Sequence, residues 1–508
     1  MIPHYCTNIA FSARIQPGER WLSGRKRTPG KCVHSNVSGV RIPLFPYFGM
    51  SVGFESSSFR KLRDIVPNAQ YAVAVSGGVD SMTLMRLVAL FHKSSASVGS
   101  PTILTVNHGF RPEARNEVSF VHEQATMLGL ECHMLHWENP IRKKSQVVAR
   151  NIRYQLLLQW CSAHNVKVLL TAHTKNDQAE TVLIRLERGS GIDGLAGIRE
   201  RSVMGDVTII RPLLDFTRRE IQEYAIQHQQ PWIEDPSNSD PKYRRTFYRN
   251  FINNCEHPEI LISRLSSTAL HMQRSLSCIL HYVQSALDSC LEFTPFGYVV
   301  IKHDVFRNLQ DEIASRLFLL LIMTIGNKSL KPRFSKFSSA LSKVRSTASF
   351  VSFTLHGCMI LKTRDGNIIV AREVSSIVPK TYLHGETRLL WDSRFELYLE
   401  SLDCFDTSLP STSEMSEKQE STRGSVTERK AASAMQVCIS PLDSNPIPEH
   451  LRGINKYVVQ GLPVLICGDK VLAYPLQKHN INGVPVVSIE RVLLKGRMMN
   501  LICNQLDQ

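Results

Sequence analysis

From Tyr71 onward short apolar runs alternate with amphipathic stretches, and this alternation constrains the fold more than any other property of the chain. Tyr71 to Val75, Thr102 to Val106, Cys132 to His136 and Val166 to Thr171 read as buried strands, with Val207 to Ile210 as a fifth. Ser81 to Phe91, Glu113 to Leu128, Ser145 to His164 and Asp177 to Leu186 carry helical periodicity between them. A helix between successive strands imposes right-handed crossovers, so the strands run parallel and helices cover both faces. The pattern predicts an α/β domain with a doubly wound parallel sheet over residues 59–255.

The rest of the chain divides by composition. Its 508 residues hold about three domains of ~150 residues each, and 43% apolar content fills several ordinary cores. Residues 256–345 read as a helical domain with apolar runs such as Ile313 to Ile325 and a basic stretch of Lys328, Lys331, Arg333, Lys336, Lys343 and Arg345. Strand-like alternation returns in an α+β segment over 346–405. Residues 406–436 are rich in Ser, Thr and Glu without apolar periodicity and read as a disordered insertion, before a small β-rich domain at 437–508. At the other end, residues 1–58 carry seven basic side chains against Glu19 and Glu55, the profile of an organelle transit segment; Met50 offers a second start. A mitochondrial address, with the plastid as the alternative, is therefore expected.

Charge narrows the partners. Sixty Lys and Arg face 45 Asp and Glu, a net charge of +15 that favours a polyanion such as RNA or DNA. The 12 cysteines contain no C-x-x-C pair, which argues for a reducing compartment and against a zinc or iron–sulfur ligand set. No uncharged apolar run reaches about 18 residues, so no membrane span is expected.

The strongest local signal is Ser76-Gly77-Gly78-Val79-Asp80-Ser81, directly after the strand YAVAV and before the helix MTLMRLVAL. Two consecutive glycines let backbone amides close around a phosphate, and the following helix adds its positive end. Neither G-x-x-x-x-G-K-[ST] nor G-x-G-x-x-G occurs at this position, which excludes a Walker ATPase and a dinucleotide binder. Asp80, just outside the amide nest, is placed to hold Mg²⁺ against the phosphates.

In this setting SGGVDS resembles the PP-loop of the N-type ATP pyrophosphatases, which implies a PP-loop ATPase with a HUP-like sheet, ATP as the cofactor and AMP with pyrophosphate as products. The stretch TAHTKNDQAETVLIRLERGSGIDGLAG at 171–197 resembles the H-x-x-D-D-Q-A-E-T…R-G-S-G-x-x-G-L-x-G run of the tRNA(Ile)-lysidine synthetases. Arg150 and Arg153 in ARNIRYQLL, VNHGFR at 106–111, the run from Arg211 to Leu214 and WIEDPSNSDPKYRRTFYRN at 232–250 resemble further motifs of that family, in the same order. The resemblance is dense over 71–255 and weaker beyond. It implies that the side-chain amine of free L-lysine is joined to C2 of the wobble cytidine of a tRNA(Ile) whose anticodon reads CAU. The nearest alternatives are a tRNA thiolase of the same ATP group and a catalytically inactive tRNA-binding relative. The expected partners are that tRNA, lysine and the protein itself as a homodimer, with no membrane.

Such a reaction needs an anchor for pyrophosphate, cations at the α-phosphate and an acidic pocket for an amine. Ser76, Gly77, Gly78, Val79, Asp80 and Ser81 serve the first, with Asp80 as the metal ligand. His173 and Arg153 serve the second, joined by Arg211 or Arg249. By resemblance Asp177 and Glu180 are the lysine-recognition pair, Asp177 also lying near the reacting centre; three residues apart, they share a helix face. Arg188, Arg211 and Arg249 are the expected tRNA or phosphate contacts, and the basic stretch from Lys328 suits a tRNA backbone. Thr174 and Asn176 depart from the family pattern, which has a second His and a first Asp there; Asn176 removes a formal charge beside Asp177 and implies weaker nucleotide binding. Trp160 and Trp232 are expected in the core.

Overall fold

The computed structural model describes residues 51–65, 69–94, 99–107, 114–137, 146–234, 244–348, 351–381, 388–399, 437–443, 445–447, 451–452, 454–467, 470–473 and 487–507, with Val40 and Arg41. The expected insertion at 406–436, most of the basic segment before residue 51 and the turn from His108 to Arg111 lie outside the described residues. After β1 (Val40–Arg41) comes helix α1 (Ser51–Ile65). Phe54, Ser58 and Leu62 recur every four residues along α1 and are all buried, so the helix turns one stripe inward. The Phe54 ring meets Phe216 at 4.7 Å and Tyr224 at 5.0 Å. The boundary expected after residue 58 therefore falls inside a helix that belongs to the α/β domain.

That domain continues through β2 (Tyr71–Ala74), α2 (Val79–Ser94), β3 (Pro101–Asn107), α3 (Ala114–Met127), β4 (Glu131–His136), α4 (Gln146–Ala163), β5 (Val168–Leu170), α5 (Lys175–Glu187), α6 (Ile192–Leu195), β6 (Arg201–Met204), β7 (Val207–Ile210), α7 (Arg218–Gln227), β8 (Trp232–Ile233) and α8 (Arg244–Asn253). Six strands form one sheet in the order β4-β3-β2-β5-β7-β6, parallel except for β6, which pairs antiparallel with β7. The chain moves from β2 outward to β3 and β4, then crosses back to place β5 on the other side of β2. Between β2 and β5 the order reverses, and ligands of open α/β sheets gather outside the carboxyl ends of strands at such a point. Helices cover both faces, with Leu84, Leu87 and Val88 of α2 in one core and Leu157, Trp160 and Cys161 of α4 in another. Trp160 and Trp232 are both buried.

Beyond it lie α9 (Pro258–Cys290), β9 (Leu291–Phe293), β10 (Val299–Ile301), α10 (His303–Arg307), α11 (Asp311–Ile325), α12 (Phe334–Arg345), β11 (Ser352–Leu355), β12 (Cys358–Lys362), β13 (Ile368–Arg372), β14 (Lys380–Thr381), β15 (Arg388–Trp391), β16 (Phe395–Leu399), β17 (Val437–Pro441), α13 (Lys456–Val459), β18 (Pro463–Cys467), β19 (Lys470–Ala473), β20 (Val487–Val492) and α14 (Leu494–Asp507). The division expected at residue 345 does not exist. The sheet β11-β12-β13-β10-β9 takes strands from both sides of it, and one core holds Leu317 of α11, Val370 of β13 and Met498 of α14. Asp392, in the β15–β16 turn, ties this region together: it accepts from Arg372 Nε (3.0 Å) and Arg394 Nε (2.7 Å), with all three side chains at most 4% exposed. No helix among the described residues is long and apolar enough to cross a membrane.

Candidate active site

The loop after β2 is shaped by its own hydroxyls. Ser81 Oγ accepts from the Ser76 amide (3.1 Å) and donates to the Gly78 carbonyl (3.0 Å), which folds Ser76 to Ser81 into a closed turn at the start of α2. Gly77 sits at φ +86°, a conformation open to glycine, and a Cβ there would come within 3.3 Å of Ile233 Cδ1. The Ile233 amide donates to the Gly77 carbonyl (2.8 Å), so β8 braces the turn from behind. The result is a glycine nest capped by a helix amino terminus, a geometry suited to phosphate.

Asp80, in the first turn of α2, points into the switch-point crevice. Its Oδ2 accepts from Arg218 Nη2 (2.9 Å) and Nε (3.3 Å), whereas its Oδ1 is buried with no hydrogen-bond partner. Burial pushes the Asp80 carboxyl above the ordinary range, with Asp177 adding to the effect and Arg218 opposing it. A buried carboxylate oxygen with no donor, beside a phosphate nest, fits a hard divalent cation.

The second carboxylate group arises at the start of α5, where Thr174 caps the helix. Asp177 Oδ2 accepts from the Thr174 amide (2.8 Å) and hydroxyl (3.0 Å), while the Asp177 amide donates back to Thr174 Oγ1 (3.3 Å). One Asp177 oxygen thus builds a capping box. The other, Oδ1, lies 3.4 Å from Arg245 Nη2. Burial works against its charge, but Arg245, His173 and Arg218 together hold Asp177 well below the usual carboxylate range. Glu180, 1% exposed, accepts from Arg245 Nε (2.8 Å) at Oε2 and from Arg249 Nε (2.8 Å) at Oε1. Arg245 and Arg249 are four apart on α8 and face the same way. A single guanidinium, that of Arg245, therefore bridges the two carboxylates expected to receive an amine.

His173 follows β5, with Nδ1 3.1 Å from Thr171 Oγ1. Burial, countered by Asp177 and reinforced by Arg211, Arg150 and Arg245, pushes its imidazole down to about 3. So lowered, it is neutral at physiological pH and stands as a hydrogen-bonding group, not as the cation expected of it. Arg211 is buried, donates to the Arg199 carbonyl (2.7 Å) and sits on the His173 side of the crevice. Arg153 is half-buried on α4. Arg188 is exposed at the carboxyl end of α5, about 16 Å along the axis from Asp177 at ~1.5 Å per residue, so it is not part of this cluster. The glycines after it form a joint: Gly197, at φ +64°, leaves room for the Gln178 amide, which pairs with both backbone groups of Ile198.

Arg218 and Arg245 are absent from the expectations drawn from sequence. The readable signal for Arg218 was Thr217-x-x-Glu220, a capping box that starts α7 and places the next residue at the mouth of the crevice. Its backbone amide donates to Asn176 Oδ1 (2.9 Å), tying α7 to α5.

Comparison with known proteins agrees with this geometry. A family model describing the PP-loop domain matches residues 54–256. A tRNA(Ile)-lysidine synthase of Anaplasma marginale (strain St. Maries) is 50% identical over 475 residues, covering 92% of this chain and 100% of that relative. Another, from Wolbachia pipientis wMel, is 40% identical, covering 86% of this chain and 96% of its own. Among solved structures, a U34-tRNA thiolase from Methanococcus maripaludis shares 18% identity at a TM-score of 0.36 over 43% of this chain and 79% of its own, a likeness too loose to argue from. The relatives are bacterial, which overturns the mitochondrial or plastid address and the transit-segment reading of residues 1–58. With all of one relative matched at half identity and the loop, carboxylates and arginines of the crevice in place, the chain belongs to the tRNA(Ile)-lysidine synthase family.

Proposed function

We propose that this crevice activates the wobble cytidine of a tRNA(Ile) with a CAU anticodon and then ligates free lysine to it. Cytosine O2 attacks the α-phosphorus of ATP, the bond to pyrophosphate breaks, and O2 becomes part of an adenylate. The lysine ammonium then gives one proton to a carboxylate of the crevice or to water, its free nitrogen adds to C2, the C2–O2 bond breaks, and AMP leaves carrying the oxygen. The observation that carries this reading is the meeting, at one switch point, of a glycine nest beside Asp80 with the carboxylate pair Asp177 and Glu180.

Each group has a task in that sequence. The amides of Gly77 and Gly78 and the hydroxyls of Ser76 and Ser81 hold the departing pyrophosphate. Asp80 is the residue that would hold Mg²⁺, through its free oxygen, and when bound the ion would supply positive charge against the polyphosphate. Arginines in a partly closed crevice stabilise the charge that develops at the α-phosphate, where fixed cations act more strongly than in water. The lysine ammonium takes the place of Arg245 between Asp177 Oδ1 and Glu180 Oε2; the guanidinium now within 3.4 and 2.8 Å of those oxygens supports this reading. Lys328, Lys331, Arg333 and Lys336, all exposed, offer a face to the tRNA backbone.

The test is a reconstitution with ATP, Mg²⁺, labelled lysine and tRNA(Ile) bearing CAU. Label should remain on the tRNA while AMP and pyrophosphate appear, and Asp80→Ala should abolish both. Label retained without ATP refutes the mechanism.

A further inference from the structure

Arg218 enters the crevice from an unusual direction. It is the first residue of α7, and its guanidinium reaches Asp80 from there. Two contacts fix that direction. Thr217 and Glu220 close the capping box, with the Thr217 hydroxyl donating to Glu220 Oε2 (2.6 Å), and Asn176 Oδ1 accepts the Arg218 amide (2.9 Å). The side chain is only 29% exposed and satisfies one oxygen of Asp80, leaving the other bare. As a purely structural ion pair this is poorly made, because a fork that matches a carboxylate in two parallel bonds reaches a single oxygen. It is well made for exchange.

We propose that Arg218 is a phosphate ligand held in reserve: it neutralises Asp80 until the cation accompanying ATP takes that carboxylate, and its guanidinium then transfers to the triphosphate, with Asn176 as the positioning residue that keeps its backbone at the nest. This rests on the ATP reading above. Among the described residues, the neighbouring carboxylates Asp177 and Glu180 already carry Arg245 and Arg249 as contact partners and act on Arg218 only at longer range, so an incoming phosphate offers a displaced Arg218 a direct partner. The guanidinium fork is suited to phosphate oxygens in a way an ammonium is not.

Binding of a non-hydrolysable ATP analogue, measured by calorimetry without tRNA or lysine, tests this. With Mg²⁺, Arg218→Ala should weaken the analogue roughly tenfold to a hundredfold, the worth of one or two charge-assisted hydrogen bonds. Arg218→Lys should recover only part of that, and guards against a fold defect in the alanine variant. Asn176→Ala should give a smaller loss in the same direction. If Arg218→Ala or Arg218→Lys binds the analogue as tightly as the wild type or more so with Mg²⁺ present, Arg218 is only a competitor for the cation and the proposal is wrong. A wild-type protein that fails to bind the analogue at all overturns the nucleotide site itself, and this inference with it.

Discussion

Glu180→Gln separates two roles that the geometry assigns to one side chain. The glutamate is 1% exposed and takes a 2.8 Å bond from each of two guanidiniums. Glutamine keeps the shape and one acceptor, but its amide nitrogen must face an arginine N–H, so one contact becomes donor against donor. A hydrogen bond to a charged group is worth about 1.5–3 kcal/mol, and removing a partner from a buried pair costs about 3–5 kcal/mol. The arginines are 36% and 22% exposed and regain water, and Arg245 keeps Asp177, so the loss falls to that of one charged hydrogen bond, about 2 kcal/mol. For a domain of this size that is a fall of roughly 4–8 °C in Tm. Because the same carboxylate is proposed to receive the lysine ammonium, the KM for lysine should rise at least tenfold while the KM for ATP holds. Calorimetry and steady-state kinetics on one preparation read both. An unmoved Tm refutes the ion-pair reasoning; a lowered Tm with an unchanged lysine KM leaves Glu180 as a seat for α8 and nothing more.

Gly77→Ala should cost about 1–2 kcal/mol for a side chain at positive φ, with the contact to Ile233 added, and should weaken nucleotide binding; chemical denaturation and analogue binding check it. The His173 imidazole, lowered to about 3, should show no titration in NMR spectra between about pH 5 and 8. Since the unfolded chain protonates this group near 6.5 and the folded one does not, its contribution to stability should fall as pH drops from about 6.5 toward 3. Asp392→Ala leaves Arg372 and Arg394 buried without their carboxylate and should cost about 3–5 kcal/mol, seen as early proteolysis beyond α11. Replacing Lys331, Arg333 and Lys336 together with Ala should weaken tRNA binding and reduce the slope of log affinity against log salt by about 2–3, with ATP-analogue binding unchanged.

The parallel strands were legible because buried strands are near-continuous apolar runs, and Val207 to Ile210 appears with the bounds read for it. β6 was not legible: Arg201 to Met204 is a polar edge strand brought back by a turn at Gly205, φ +62°, and edge strands lack the apolar signature. α1 hides in a segment whose composition suggests an arm, since its inward stripe includes Ser58 as well as Phe54 and Leu62. In the crevice, Asp80, His173, Asp177 and Glu180 come together as their motifs imply, because the topology places the ends of β2 and β5 side by side. What sequence did not yield was pairing. Arg218 and Arg245 lie in polar stretches where any arginine reads as solvated, and only the fold brings them 138 and 65 residues back to Asp80 and Glu180.

Those pairings alter the order in which charge can enter the crevice. Asp80, Asp177 and Glu180 all carry guanidiniums, and neutral His173 adds nothing to the count. A cation arriving alone at the bare Oδ1 of Asp80 sets its charge against the Arg218 guanidinium on Oδ2, and one arriving between Asp177 and Glu180 must displace Arg245, costs close to the gain. A triphosphate arriving with its counter-ion faces no such barrier, because it brings an acceptor for every guanidinium it frees. On the proposed reading ATP would then be the substrate that unlocks the site, and the lysine ammonium would gain its seat once Arg245 has phosphate to turn to. Asn176 fits this economy of charge: an aspartate there would be a fourth carboxylate beside Asp177, competing for Arg218, whereas the amide oxygen holds the Arg218 backbone and leaves its guanidinium to Asp80 and then to the nucleotide.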